Sequence, residues 1–179
     1  YQVALAMEEH GVLRALTSIE LAPRGLSRLV AMEQAYNLEP SPLARLAVFL
    51  PGDAAAYEVL AERLRFSKVE HKRLVQLARP LPELGDEPES TRRALFQAKD
   101  REIFTLLTLV AAAEGDRIDM RLRLHEAASW AWPEMPVSGL DMIELGVPAG
   151  PKVGAILSHL EEWWIRRNFE PDRDACLEA

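Results

Sequence analysis

Apolar residues in this chain recur at spacings of three and four, and the runs they form are cut at short intervals by proline and glycine. That spacing is the signature of amphipathic helices. The strict alternation a half-buried strand requires does not occur, nor do short β-branched or aromatic runs. The sequence therefore predicts an all-α fold, a multi-helix array of short antiparallel helices in which helix–turn–helix pairs recur without an exact repeat.

The punctuation places the helices. Val3, Leu5 and Met7 open a first helix, broken near Gly11, and Val12, Leu13 and Leu16 continue its apolar face. Pro23-Arg24-Gly25 starts a second, with Leu26, Leu29, Val30, Met32 and Tyr36. Pro40-Ser41-Pro42 and Pro51-Gly52-Asp53 each stop one helix and start another, because proline suits a first turn and Ser or Asp a cap. Tyr57, Leu60 and Leu64 mark the buried stripe of the helix after Asp53. Ser67 with Glu70 three residues on is a capping-box pattern. The string PLPELGDEPE, residues 80–89, holds three prolines, one glycine and four acids and reads as a hinge or loop. Either it divides the chain into a helical body over 1–79 and a helical tail over 90–179, or the two form one continuous domain. In the tail, one long helix is expected from about Ser90 to Glu114, then another through Leu122 and Leu124 towards Trp130 and Trp132. A last short helix starts at Pro171.

From Met135 to Asn168 the pattern is denser. Pro136-Val137-Ser138-Gly139 is a turn, and Ser138 is placed to accept backbone N–H groups at the start of a short helix, Leu140 to Leu145. Gly146-Val-Pro148-Ala-Gly150-Pro151 breaks the chain and starts a second helix with Val153, Ile156, Leu157, Leu160 and Trp164 on one face. Gly154 would let another backbone pass close to that helix's first turn. A glycine-rich helix-hairpin-helix of this kind exposes backbone N–H groups around Gly150, Lys152 and Val153, which can meet a phosphate, with Lys152 adding charge. The alternative is a plain turn in which Gly146 caps one helix and Gly150-Pro151 starts the next. Trp130, Trp132, Trp163 and Trp164 could stack on unpaired bases; as packing residues, Trp164 would be core and Trp163 partly covered.

The string P-V-S-G-x-D-(apolar)₂-x-L-G-V-P-x-G-P-x-V-G over residues 136–154, the phrase E-x-W-W-I ending at Ile165 and N-F-x-P-D-R-x-A-C-L over 168–177 resemble the C-terminus of bacterial tRNA nucleotidyltransferases. These are the CCA-adding enzymes and related poly(A) polymerases. The resemblance continues upstream, less sharply, through Met7 to Leu13, Pro42 to Asp53 and Leu64 to Glu70, and so covers nearly the whole chain. It implies the helical body and tail of such an enzyme, with tRNA as partner. CTP or ATP and magnesium would be handled by an N-terminal catalytic head. Tyr1 in place of Met, with helical periodicity from the outset, reads as a piece of a longer protein.

The residues themselves carry no recognisable catalytic constellation. The family's D-x-D pair sits on a strand of its head; here Asp172 and Asp174 have that spacing but follow Pro171, where carboxylates favour the positive end of a helix dipole. No E-D dipeptide of the family's nucleotide-reading neck occurs. His10, His71, His125 and His159 are scattered and none precedes Asp. No catalytic residue, metal ligand or cofactor site is therefore expected within these 179 residues. The single Cys176 excludes an internal disulfide framework and, with no signal-peptide pattern or apolar run long enough for a bilayer, fits the cytoplasm.

Charge gives the RNA expectation its residues. The net charge is −7, so the molecule as a whole does not attract nucleic acid and any contact must be local. Between Arg63 and Arg79 six bases (Arg63, Arg65, Lys68, Lys72, Arg73 and Arg79) stand against one acid, Glu70. Arg92, Arg93, Lys99 and Arg101 form a second cluster, and Arg117, Arg121 and Arg123 a third. Such patches suit the phosphate backbone of an A-form stem, read by shape rather than base edges. The candidate RNA contacts are Arg65, Lys68, Lys72, Arg73, Arg79, Arg92, Arg93, Gly150 and Lys152. Two readings stand: the body and tail hold the acceptor/T-arm elbow of tRNA, or each cluster is a solvated face of a helical protein-interaction module with no RNA role.

Overall fold

The computed structural model describes residues 2–17 (the Leu16 side chain excepted), 25–50, 54–78, 85, 87–115 and 117–179. Among the described residues there is no strand, and the helices number twelve: α1 (Gln2–Glu9), α2 (Val12–Thr17), α3 (Leu26–Ala35), α4 (Pro42–Ala47), α5 (Ala54–Arg63), α6 (Lys68–Gln76), α7 (Pro88–Ala98), α8 (Arg101–Glu114), α9 (Met120–Ser129), α10 (Gly139–Glu144), α11 (Pro151–Arg166) and α12 (Arg173–Leu177). The all-α expectation holds. Two compact units emerge, residues 1–128 and 129–179. Most of the expected hinge lies outside the described residues, and α6 and α7, on either side of it, belong to the same unit.

The first unit is built around α8, which packs against α3, α4 and α7. Its turns bury Leu106, Leu109 and Val110 among Leu29 of α3, Ala44 and Ala47 of α4, and Leu60 and Leu74 of α5 and α6. Tyr57, almost wholly buried, ties α5 to α4 by donating to the Ala47 carbonyl at 3.3 Å. Two sequence expectations need correction here. The single helix from Ser90 to Glu114 is two: Lys99 takes a left-handed φ of 55° and ends α7, and Asp100 starts α8 by accepting from the Glu102 and Ile103 N–H groups at 2.8 and 3.1 Å. Asp as an N-cap satisfies helix donors that a continuous helix would have left no need for. Leu64 is not part of a buried stripe; it follows the last turn of α5 and is 42% exposed.

Among the described residues, three charges lie inside this unit. Glu33 of α3, 2% exposed, accepts from Arg45 of α4 through both Nε (3.0 Å) and Nη2 (2.6 Å), and from the backbone N–H of Ser41 (3.0 Å). On α9, Arg123 donates to the Thr91 hydroxyl of α7 and to the Gly85 carbonyl, and Glu126 accepts from Arg92 at 2.7 Å. Arg123 therefore does not share a basic patch with the exposed Arg117 and Arg121; it turns inward, on the face of α9 that carries Met120 and Ala127. Arg45 is 39% exposed and Glu33 2%, so it is loss of the arginine that would strand a buried charge. Arg45→Ala is expected to destabilise the first unit by about 3 kcal/mol, with Glu33→Gln costing less because it removes that charge and retains an acceptor for Ser41. Urea unfolding of the two variants checks the order.

In the second unit, α10 and α11 pack on each other. A Cβ on Gly139 would stand 3.4 Å from Val153 Cγ1, so this glycine, rather than Gly154, is where the two helices approach closely. Gly154 is exposed and has nothing within 4 Å of a Cβ position, which overturns the expected backbone approach there. Gly146, at φ 88°, ends α10: its N–H reaches the Ile143 carbonyl (2.9 Å) and that of Val147 the Met142 carbonyl (3.0 Å), the paired bonds of a Schellman ending. Trp164 is core; its indole N–H donates to the Pro171 carbonyl at 3.0 Å, and its ring meets Phe169 edge-on at 5.1 Å. Phe169 in turn lies 5.2 Å from Trp130. Cys176 is buried with its thiol against the Pro171 carbonyl, and burial pushes its pKa up, as a packing residue requires.

Asp141 fastens α10 to α12. Its carboxylate accepts from the Ser138 hydroxyl (2.7 Å) and backbone N–H (2.6 Å), and from Arg173 Nη2 (2.6 Å). These bonds, Ser138 first, hold its pKa down from 3.8 to about 2. A depressed carboxylate contributes stability above its unfolded value and loses it as pH falls through the folded one. Carboxyl NMR is therefore expected to place the Asp141 midpoint near 2. The α10–α12 tether should persist at pH 4 and release between there and about pH 2. In Arg173→Ala the midpoint should rise.

Candidate nucleic-acid interface

Helix α6 positions the strongest candidates. Ser67 accepts from the Glu70 N–H at 3.3 Å while the Glu70 carboxylate takes the Ser67 N–H at 3.0 Å and its hydroxyl at 2.6 Å, the capping box read from the sequence. These bonds lower the Glu70 pKa, so it stays charged as the cap. Leu74 faces the core, which turns Lys68 and Lys72, one helical turn apart, to solvent. Arg65 is exposed just before the helix. Among the described residues no carboxylate pairs with Arg65, Lys68 or Lys72. Lys68 is also the first residue of α6, at the positive end of its dipole, where a cation is locally unfavourable. Helix stability does not explain its placement.

The other predicted contacts are dispersed. Arg73 makes a bidentate pair with Glu102 of α8 (3.1 and 2.8 Å), and Arg92 is drawn to the buried Glu126. Both guanidiniums are thus engaged within the first unit. Arg93 is half-buried and has interactions of its own. Arg79 lies outside the described residues. In the second unit Gly150 caps α11 at φ 144°, ψ −165°, a backbone open to glycine and strained for other residues, and Lys152 is exposed in the first turn. The Val153 N–H, one of three expected to face a phosphate, donates instead to the Gly150 carbonyl at 3.1 Å.

Beside Arg73 an apolar groove of about 1180 Å³ runs between α4, α6, α8 and α9, lined by Leu38, Leu43, Leu46, Phe66, Leu106 and Leu124. Sequence reasoning missed it, because each of these residues satisfies the helical period and nothing in the period says which are left uncovered. Asp172 accepts from the Ala175 N–H at 3.0 Å and caps α12, the reading its position after Pro171 suggested. Among the described residues no three His, Cys, Asp or Glu side chains come together to hold a metal ion, and no helix is long and apolar enough to cross a membrane.

Fold and surface define an all-α protein of two helical units, acidic overall, with a helix face on which Lys68 and Lys72 have no carboxylate partner among the described residues. Weak sequence homology connects it to the CCA tRNA nucleotidyltransferases. The chain is 28% identical over 152 residues to "CCA tRNA nucleotidyltransferase 1, mitochondrial" of Danio rerio, covering 81% of this chain and 34% of that protein. The human and mouse proteins of the same name are each 35% identical over 54 residues, 30% of this chain and 12% of theirs. The chain thus aligns with at most about a third of the length of these relatives. No family model matches it.

Arg65 presents a separable test. It sits at φ 53°, two residues past the end of α5, its N–H bonded to the Glu62 carbonyl and that of Phe66 to the Ala61 carbonyl. This is the position glycine favours in a Schellman ending. Arg65→Gly is expected to stabilise the first unit by roughly 1 kcal/mol, read as a higher denaturant midpoint. If Arg65 contacts RNA, the same variant should bind RNA less tightly.

Proposed function

We propose that this chain is the tRNA-binding helical portion of a CCA-adding-type nucleotidyltransferase. In this reading it holds the elbow formed by acceptor stem and T-arm, while a catalytic head outside these residues adds nucleotides to the 3′ end. The observation that carries the reading is the pair Lys68 and Lys72, exposed on one face of α6 and without a carboxylate partner among the described residues, in a chain of net charge −7. The sequence homology supplies the substrate class. Contacts from such a face go to phosphates, so they position RNA without reading its bases. Positioning is chemically consequential, because the distance from elbow to 3′ end sets whether the terminal hydroxyl reaches the incoming nucleotide. In this scheme magnesium and CTP or ATP are held by the head.

One observation favours a second reading, a protein-interaction module. The groove beside Arg73 is apolar enough to seat partner side chains, and it has acidic residues, Glu39 and Glu70, among its lining. Salt separates the two, since phosphate contacts release counterions and weaken steeply as salt rises. Fluorescence anisotropy with labelled tRNA should show salt-sensitive binding by the full chain. Lys68→Glu/Lys72→Glu should weaken it by about tenfold or more and flatten the salt dependence by about two contacts. No binding at low salt would remove the RNA role from this chain.

A further inference from the structure

The α11 helix carries a second cationic feature that its sequence does not announce. Counting by turns, Lys152, Ile156, His159, Trp163 and Arg167 fall on one row of the helix and its C-cap, at steps of four, three, four and four. Ile156 and Trp163 are half-buried, and Lys152, His159 and Arg167 are exposed. The row therefore borders the core stripe of Val153, Leu160 and Trp164. It contains no acid, although Glu161 and Glu162 lie on the same helix. From Lys152 to Arg167 it runs roughly 22 Å.

Arg166 pairs with Glu162 at 3.3 Å and Arg173 with Asp141, whereas among the described residues no carboxylate pairs with Lys152 or Arg167. The Arg167 guanidinium lies over the Trp163 ring, 4.1 Å from its centre. Stacking of this kind orients the guanidinium without consuming its N–H donors, which point outward in the guanidinium's own plane towards an oxygen acceptor. His159 is fixed too, through Nδ1 on the Ala155 carbonyl at 2.8 Å, and Nε2 is its unengaged nitrogen. A backbone ending at Asn168 and Phe169, both at positive φ and bonded to the Ile165 and Trp164 carbonyls, holds Arg167 in place.

We propose that this row of α11 is a second RNA-backbone contact, in which Lys152 and Arg167 each take a phosphate and Trp163 backs the guanidinium between them and the core. It rests on the RNA-binding reading above and extends it to the second unit, independently of α6. Phosphate is the ligand chemistry that fits: the donors are cationic, separated along a line, and bordered by an aromatic face rather than by a pocket.

The test uses the full chain, labelled tRNA and a salt series. Lys152→Glu/Arg167→Glu is compared with Arg166→Glu, which reverses a charge at the same helix end that Glu162 already engages. The double variant should lose affinity on the order of tenfold, and its log–log salt slope should fall by about two. Arg166→Glu should change the slope by less than one contact. Trp163→Leu, which keeps all charges, should reduce affinity by a smaller factor through loss of the stack. Circular dichroism of each variant should match the parent. If the double variant behaves like Arg166→Glu while the Lys68/Lys72 variant loses binding, this second surface is overturned and the RNA reading stands. If the parent chain shows no salt-sensitive binding, both fall.

Discussion

Burying a charge is costly unless its partners are buried with it or brought to it, and the first unit is arranged around three such charges. Glu33 gathers Arg45 and the first N–H of the α4 turn, so the angle between α3 and α4 is fixed by a carboxylate rather than by packing alone. Arg123 and Glu126, one turn apart on α9, reach Thr91 and Arg92, neighbours on α7. Apolar contacts tolerate sliding by a methyl group, whereas these bonds have one register. Against α8, α4 presents Ala44 and Ala47 and α7 presents Ala94, small residues that let the helices pack closely. The polar ties then select a single arrangement among the close-packed ones.

The same ties determine which cations remain for other uses. Arg45, Arg73, Arg92 and Arg173 are each held by a carboxylate of their own unit, and counting bases along the sequence cannot distinguish them from Lys68, Lys72, Lys152 and Arg167. In a chain with an acidic surplus, a cation without an acid beside it is the informative one. Those four lie on the exposed rows of two helices or, for Arg167, at a helix end. Local clusters of this kind are what the electrostatics of an acidic protein would need in order to engage a polyanion at all.

Much of the fold was legible because its punctuation is local. Ser41 with Pro42, Ser67 with Glu70, and Gly115 after Glu114 act within one helical turn, and each lies where the sequence places it. The break at Lys99–Asp100 was legible in principle, since Asp followed by Arg-Glu-Ile is a helix start, but unbroken apolar spacing across it concealed the signal. What sequence could not supply was partnership across the fold. Arg123 reads as one of three bases in a row until α7 is brought against α9. Gly154 and Gly139 are equally small, and only the crossing of α10 and α11 decides which one lies at the contact. On α11 the candidate row was hidden because Lys152 and Arg167 are far apart in sequence, joined only by helical geometry.

Between α5 and α6 the chain has almost no slack. A left-handed turn at Arg65 closes one helix, the Ser67 box opens the next, and Phe66 alone separates the two devices. The backbone beneath Arg65 and Lys68 is thus set before any ligand arrives, by hydrogen bonds that no partner has to induce. Whatever anion meets this surface encounters a preorganised base for its contacts. The ordering it must impose is confined to the side chains themselves, at about 0.5–1.5 kcal/mol for each one immobilised. Had the same bases been carried on a loop, that loop's backbone would have had to freeze as well, and a few phosphate contacts would have yielded far less net affinity.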